Sequence, residues 1–157
     1  QEIDEALRKA RELTTSAATQ SRARSKAPIK CFGKGVVRSE VVVCRGLVFV
    51  SGQTASPTEK GDESAGEATA EQQATKALGK VRDLLENAGS NPSRVLSAIV
   101  HVRNLEQDLE GLDKAWARWI DKDNPPARTV VQTDAINCGG AESGTDLRIA
   151  VSVTASL

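Results

Sequence analysis

A guanidinium set behind two prolines is the group in this sequence best suited to chemistry. In Asn124-Pro125-Pro126-Ala127-Arg128 the prolines stiffen the backbone as it enters a β-branched run, and Arg128 follows them. An arginine side chain is a permanently charged planar fork that can grip a carboxylate through two parallel hydrogen bonds. Spacing alone favours a plainer reading, a surface ion pair with Asp123 or Asp134. His101 with one of Cys31, Cys44 or Cys138 could form a base and nucleophile pair. His101, however, lies in a run of alternating apolar residues, which favours a packed structural role. Gly139-Gly140 with Ser143-Gly144 could cradle a phosphate, but no GKS or GxGxxG pattern accompanies them, and a hairpin connection is the better reading. Trp116 and Trp119 stand three apart at helical spacing, as core or interface residues do, rather than as a base-stacking platform.

The rest of the composition narrows the chemistry. Three widely spaced cysteines and one histidine give neither a disulfide framework nor a ligand set for zinc, so no metal and no cofactor is expected. Lys plus Arg and Asp plus Glu both number 21, and this neutral balance weighs against nucleic acid as the main partner. No apolar run approaches the roughly 20 residues that span a bilayer, so no membrane partner is expected.

These groups need elements to hold them. Glu2 to Thr19 carries Ile3, Leu7, Ala10, Leu13 and Ala17 at helical spacing, with acids leading and bases following. A basic, acid-free stretch runs on to Arg38 and reads as a linker. Its alternative reading is a processed targeting remnant, which would place the protein in an organellar matrix such as the mitochondrion instead of the cytoplasm. The opening acids argue against that. Strands are expected at Val36–Cys44 and Leu47–Ser51, joined by Arg45-Gly46 as a tight hairpin turn. A loop follows from Gly52 to Gly66. Helices are expected at Glu67–Ala88, closed by Gly89 and Pro92, and at Leu105–Ile120. Further strands are expected at Arg94–Val102, Ala127–Thr133 and Leu147–Thr154. The order ββαβαββ predicts an α+β fold, with two helices packed on one face of a mixed β-sheet. The sheet's other face is then left for a partner, which implies an oligomer.

Several of these stretches together resemble the reactive intermediate deaminase (Rid/YjgF) family. They are Leu47-Val-Phe-Val-Ser-Gly-Gln53, Gln72-Gln-Ala-Thr-Lys-Ala-Leu78, Val81 to Ser90, Val95 to Val100, Asn124 to Gln132 and the terminal strand. The SGQ and NPPAR segments, separated by helix, strand and helix, are the specific part. The match covers residues 33–157, leaving 1–32 as the N-terminal helix and basic linker.

The resemblance implies a chorismate-mutase-like homotrimer with a ligand cleft between each pair of subunits. It also implies hydrolysis of 2-enamino and 2-imino acids to 2-keto acids and ammonia. Arg128 would anchor the carboxylate. Ser51 and Gly52 match positions near the ligand, where glycine lets the backbone approach closely, although a strand-ending turn explains them equally well. Asp113 falls where the family often has Asn. The departures are as informative. The chain has no tyrosine, and Arg38 stands at about the place of the family's tyrosine. The family's water-positioning acid on the last strand is replaced by Ala150, and Val130 stands where many active members have Cys. By strand alternation Arg148 should lie beside Ala150. Three functions are therefore open: a deaminase, a non-catalytic binder of small carboxylate metabolites, and an RNA-directed role using the basic linker.

Overall fold

The computed structural model describes residues 27–55, 68–136 and 147–157, together with Glu5, Arg8, Lys9 and Glu12, which are helical. Most of the expected leading helix and basic linker, and the Gly139–Gly144 loop, lie outside these residues.

The strands β1 (Lys30–Lys34), β2 (Ser39–Cys44), β3 (Leu47–Thr54), β4 (Val95–Val102), β5 (Ala127–Gln132) and β6 (Ile149–Ser156) form one sheet. Its order is β1-β2-β3-β6-β4-β5. Only β4 and β5 run parallel, joined through a helix, so the sheet is mixed. The β2–β3 hairpin closes through Arg45 (φ 52) and Gly46 (φ 78). Two successive left-handed residues make the turn whose twist matches that of the flanking strands. Its register pairs Val41 with Val50 and Val43 with Val48, all four buried on the same face.

Helix α1 (Ala70–Asn87) starts at a reciprocal cap in which the Thr69 hydroxyl accepts from the Gln72 amide and the Gln72 side chain accepts from the Thr69 amide. It ends as Ser90 N–H donates to Leu85 O and Gly89 N–H to Glu86 O. Helix α2 (Leu105–Trp119) is capped by Asn104. The two helices touch where Gly111 leaves no side chain: a Cβ there would lie 2.8 Å from the Glu71 nitrogen and 3.1 Å from the Ala70 Cβ. On the outer face of α2, Glu110 and Lys114 pair at 2.7 Å. Their hydrogen bond lowers the Glu110 carboxyl and raises the Lys114 ammonium from their ordinary values.

Ala74, Ala77, Leu78, Val81 and Leu85 of α1 and Leu112, Ala115, Trp116 and Trp119 of α2 bury against Val41, Val48, Val50, Ala98, Val100, Val151 and Val153. Both helices therefore cover one face of the sheet, as the amphipathic pattern predicts. The opposite face leaves Phe49, Ile99 and Val131 between 40% and 47% exposed.

The edges differ from expectation. Lys30–Lys34 is a strand, not a linker. Its side chains are mostly exposed, so it is held by backbone pairing to β2 and carries little apolar signal. Val36 and Val37 are fully exposed in the β1–β2 turn, which Gly35 N–H closes onto Arg38 O, and β2 begins only at Ser39. β3 continues to Thr54 through a register shift between Val50 and Gln53, so Ser51 and Gly52 form a bulge.

Candidate functional site

Arg128 is the second residue of β5, an edge strand. Cross-strand partners point to the same face, and Arg128 pairs with Ala98, which pairs with Val153. Both partners belong to the core, so the guanidinium rises on the helix side of the sheet, beneath α2. Asn124, whose amide donates to Ser93 O at 2.8 Å, fixes the turn that feeds Pro125-Pro126 into the strand.

The Arg128 side chain is 24% exposed and Asp113, on α2, is 51% exposed; Arg128 Nη2 donates to Asp113 Oδ1 at 2.7 Å. The guanidinium carbon stands 5.2 Å from the centre of the Trp116 ring, within cation–π range. Trp119 backs Trp116, with ring centres 5.4 Å apart. The arginine's partner is thus Asp113 rather than Asp123 or Asp134. The contact uses one nitrogen, which leaves the rest of the fork to engage a second carboxylate.

The other expected site residues are dispersed within one chain. Ser51 and Gly52 sit on β3, three strand spacings from β5, or about 14 Å across the sheet. The Ser51 carbonyl and hydroxyl both accept from the Gln53 amide nitrogen, at 3.1 and 3.3 Å. Ala150 is 2% exposed on the face away from the helices, opposite Thr54 on one side and His101 on the other. Arg148 stands two residues before it. It immediately precedes β6, its carbonyl accepts from the Arg103 amide at 2.9 Å, and its Nη1 donates to Asp108 Oδ1 at 3.1 Å.

Asp108 is the residue that sequence reasoning passed over. It is 1% exposed, and its Oδ2 also accepts from the Asn104 amide at 3.1 Å. A polar cavity of about 330 Å³ opens there, lined by Arg103, Asn104, Gln107, Asp108, Asp134 and Arg148. The Asn104 to Asp108 spacing at a helix start was the available signal, but it identifies a cap as readily as a site.

Two helices on one face of a six-stranded mixed sheet, with a half-sheltered arginine at the rim, define a two-layer α+β class. The chain belongs to the YjgF/L-PSP family: the family model described as "Endoribonuclease L-PSP" matches residues 37–142. A RutC family protein of Haemophilus influenzae is 32% identical over 94 residues, 60% of this chain and 74% of that one. A YjgF family member from Neisseria meningitidis superposes with a TM-score of 0.65 at 26% identity, covering 82% of this chain and 94% of the other. RidA from an Antarctic Psychrobacter shares the fold, with a TM-score of 0.61 at 19% identity over 79% of this chain and 92% of its own.

Among the described residues no helix is long and apolar enough to cross a membrane.

Proposed function

We propose that this chain is a hydrolytic deaminase of 2-enamino and 2-imino acids, working as a homotrimer whose clefts lie between neighbouring copies. The observation that carries the reading is Arg128 itself: a permanent cation at the sheet edge, packed on Trp116 and held through a single nitrogen. A 2-imino acid presents a carboxylate directly beside its reacting carbon, and anchoring that carboxylate orients the carbon. Orientation alone can supply several kcal/mol, about 7–11 in favourable cases. An imine is already electrophilic, so a held water suffices to complete the reaction.

Two features support the oligomer. Phe49, Ile99 and Val131 form an exposed apolar stretch on the uncovered sheet face. Ser51 and Gly52, too far from Arg128 in their own chain, would meet a ligand only when contributed by an adjacent copy.

One feature favours a second reading, a non-catalytic binder of small carboxylate metabolites at the same cleft: the side chain at position 150 is a buried alanine without acid or base. The word "endoribonuclease" in the family description points to RNA, but the balanced charge gives that role little support.

The test is ammonia release from 2-aminoacrylate generated in place by an amino-acid dehydratase. Wild type should accelerate it over buffer, and Arg128→Ala should return the rate to that of buffer. No acceleration, combined with saturable binding of pyruvate that Arg128→Ala removes, would favour the binder instead.

A further inference from the structure

We propose that the Asp113 carboxylate makes this site selective for the zwitterionic, iminium form of a 2-imino acid and acts as general base toward the attacking water. The inference rests on the deaminase reading above and assigns a role that Arg128 cannot fill.

The geometry carries it. Asp113 Oδ1 lies 2.7 Å from Arg128 Nη2, and the side chain is 51% exposed. Its other oxygen accepts no hydrogen bond from the described residues. An ion pair this exposed adds little to the fold, about 0–1 kcal/mol. It does alter what the arginine can bind. A lone carboxylate approaching Arg128 meets the negative charge of Asp113 and must compete with it. A molecule carrying an anion and a cation on adjacent carbons meets no such conflict. Its carboxylate takes the free edge of the guanidinium, and its nitrogen donates to Asp113.

A protonated 2-imino acid is such a molecule, with a carboxylate bonded to the carbon that bears C=NH2+. The keto acid product retains the carboxylate but exchanges the N–H donors for a carbonyl oxygen, whose lone pairs face those of Asp113. The same pair thus holds the substrate and rejects the product. His101, the chain's one imidazole, is on the opposite sheet face from Arg128.

The chemical step balances without a further reagent. Water oxygen bonds to the imine carbon as Asp113 takes a water proton, and the C=N π electrons move to nitrogen, giving a carbinolamine with a neutral amine and an unchanged carboxylate. Asp113 returns that proton to the amine. The C–N bond then breaks as the remaining hydroxyl electrons form C=O, and the hydroxyl proton leaves with ammonia as ammonium. Iminium acid plus water becomes keto acid plus ammonium.

The experiment compares wild type, Asp113→Asn, Asp113→Glu and Arg128→Ala for two readouts, ammonia release from 2-aminoacrylate and calorimetric binding of pyruvate. Asp113→Asn keeps the shape and loses the charge. It should bind pyruvate as tightly as wild type or more so, while kcat falls by about 10²–10⁴, the usual contribution of a general base. Asp113→Glu should recover part of the rate. Hydrolysis by Asp113→Asn at the wild-type rate would overturn the inference and leave the deaminase reading intact. Loss of pyruvate binding in step with hydrolysis would also overturn it, reducing Asp113 to a positioner of Arg128. Wild-type protein that neither binds pyruvate nor releases ammonia would instead defeat the deaminase reading itself.

Discussion

At the scale of single residues, two aspartates of α2, each paired with an arginine from another element, look alike in the sequence and differ in physics. Arg128 and Asp113 are 24% and 51% exposed, so both reach water, whereas Asp108 of the Arg148–Asp108 pair is 1% exposed. The Asp108 carboxylate also accepts from the Asn104 amide, so its loss removes one acceptor from a part-buried N–H and one from the Arg148 guanidinium. Asp108→Ala should therefore destabilise the protein by about 2–3 kcal/mol, the scale of hydrogen bonds to charged groups, reduced from the full buried-pair value because Arg148 keeps contact with water. Asp113→Ala should stay within about 1 kcal/mol of wild type. Urea unfolding of the two variants separates them, and equal losses would mean that burial is not what distinguishes the pairs. The sequence made Arg128 legible, through its two prolines and the surrounding motif. It could not reveal Asp108, because an aspartate in the first turn of a helix is ordinary and its burial depends on how Arg148 approaches from 40 residues away.

At the scale of elements, the core strands and both helices were legible because their apolar positions repeat at periods of two or near four. What the pattern missed was held by backbone. β1 pairs through main-chain groups and leaves most side chains in water, so KCFGK has no periodicity to read. Val36 and Val37 looked like a strand by type, yet they occupy a turn, where β-branched residues carry no packing information. The bulge at Ser51-Gly52 follows from β3 pairing with β6, a partner nearly 100 residues later in the chain. The contact between α1 and α2 has a sharper consequence. Gly111 lies inside a helix, where alanine is favoured by about 1 kcal/mol. A Cβ at 2.8 Å from the Glu71 backbone nitrogen has no flexible group to displace, so the helices must part. Overpacking of this kind costs about 1–3 kcal/mol and outweighs the propensity gain. Gly111→Ala should lower the thermal midpoint; a rise would show that the helices separate freely.

At the scale of the whole molecule, the layer arrangement leaves a question that only assembly can answer. Both helices lie on one side of the sheet, and the other side presents Phe49, Ile99 and Val131 around Ser152, Thr154 and His101. Ile99 sits mid-strand, paired with Thr129 on β5 and Ser152 on β6, so it lies well inside this face. In the proposed trimer it is buried against a neighbouring copy. Ile99→Lys would then place an unpaired charge in that contact, where desolvation costs several kcal/mol per copy. In an isolated chain the same lysine would remain in water, because Ile99 is already 47% exposed, and folding should be nearly unaffected. Light scattering after gel filtration should therefore show the variant at one-third of the assembled mass, with a circular dichroism spectrum unchanged from wild type. Ammonia release should fall with it although Arg128 and Asp113 are intact, since Ser51 and Gly52 would no longer reach a neighbour's cleft. Glu106→Lys, on the exposed side of α2, supplies the control and should leave the mass as it was. If Ile99→Lys keeps the full mass, the copies meet elsewhere and the cleft cannot be built across this face.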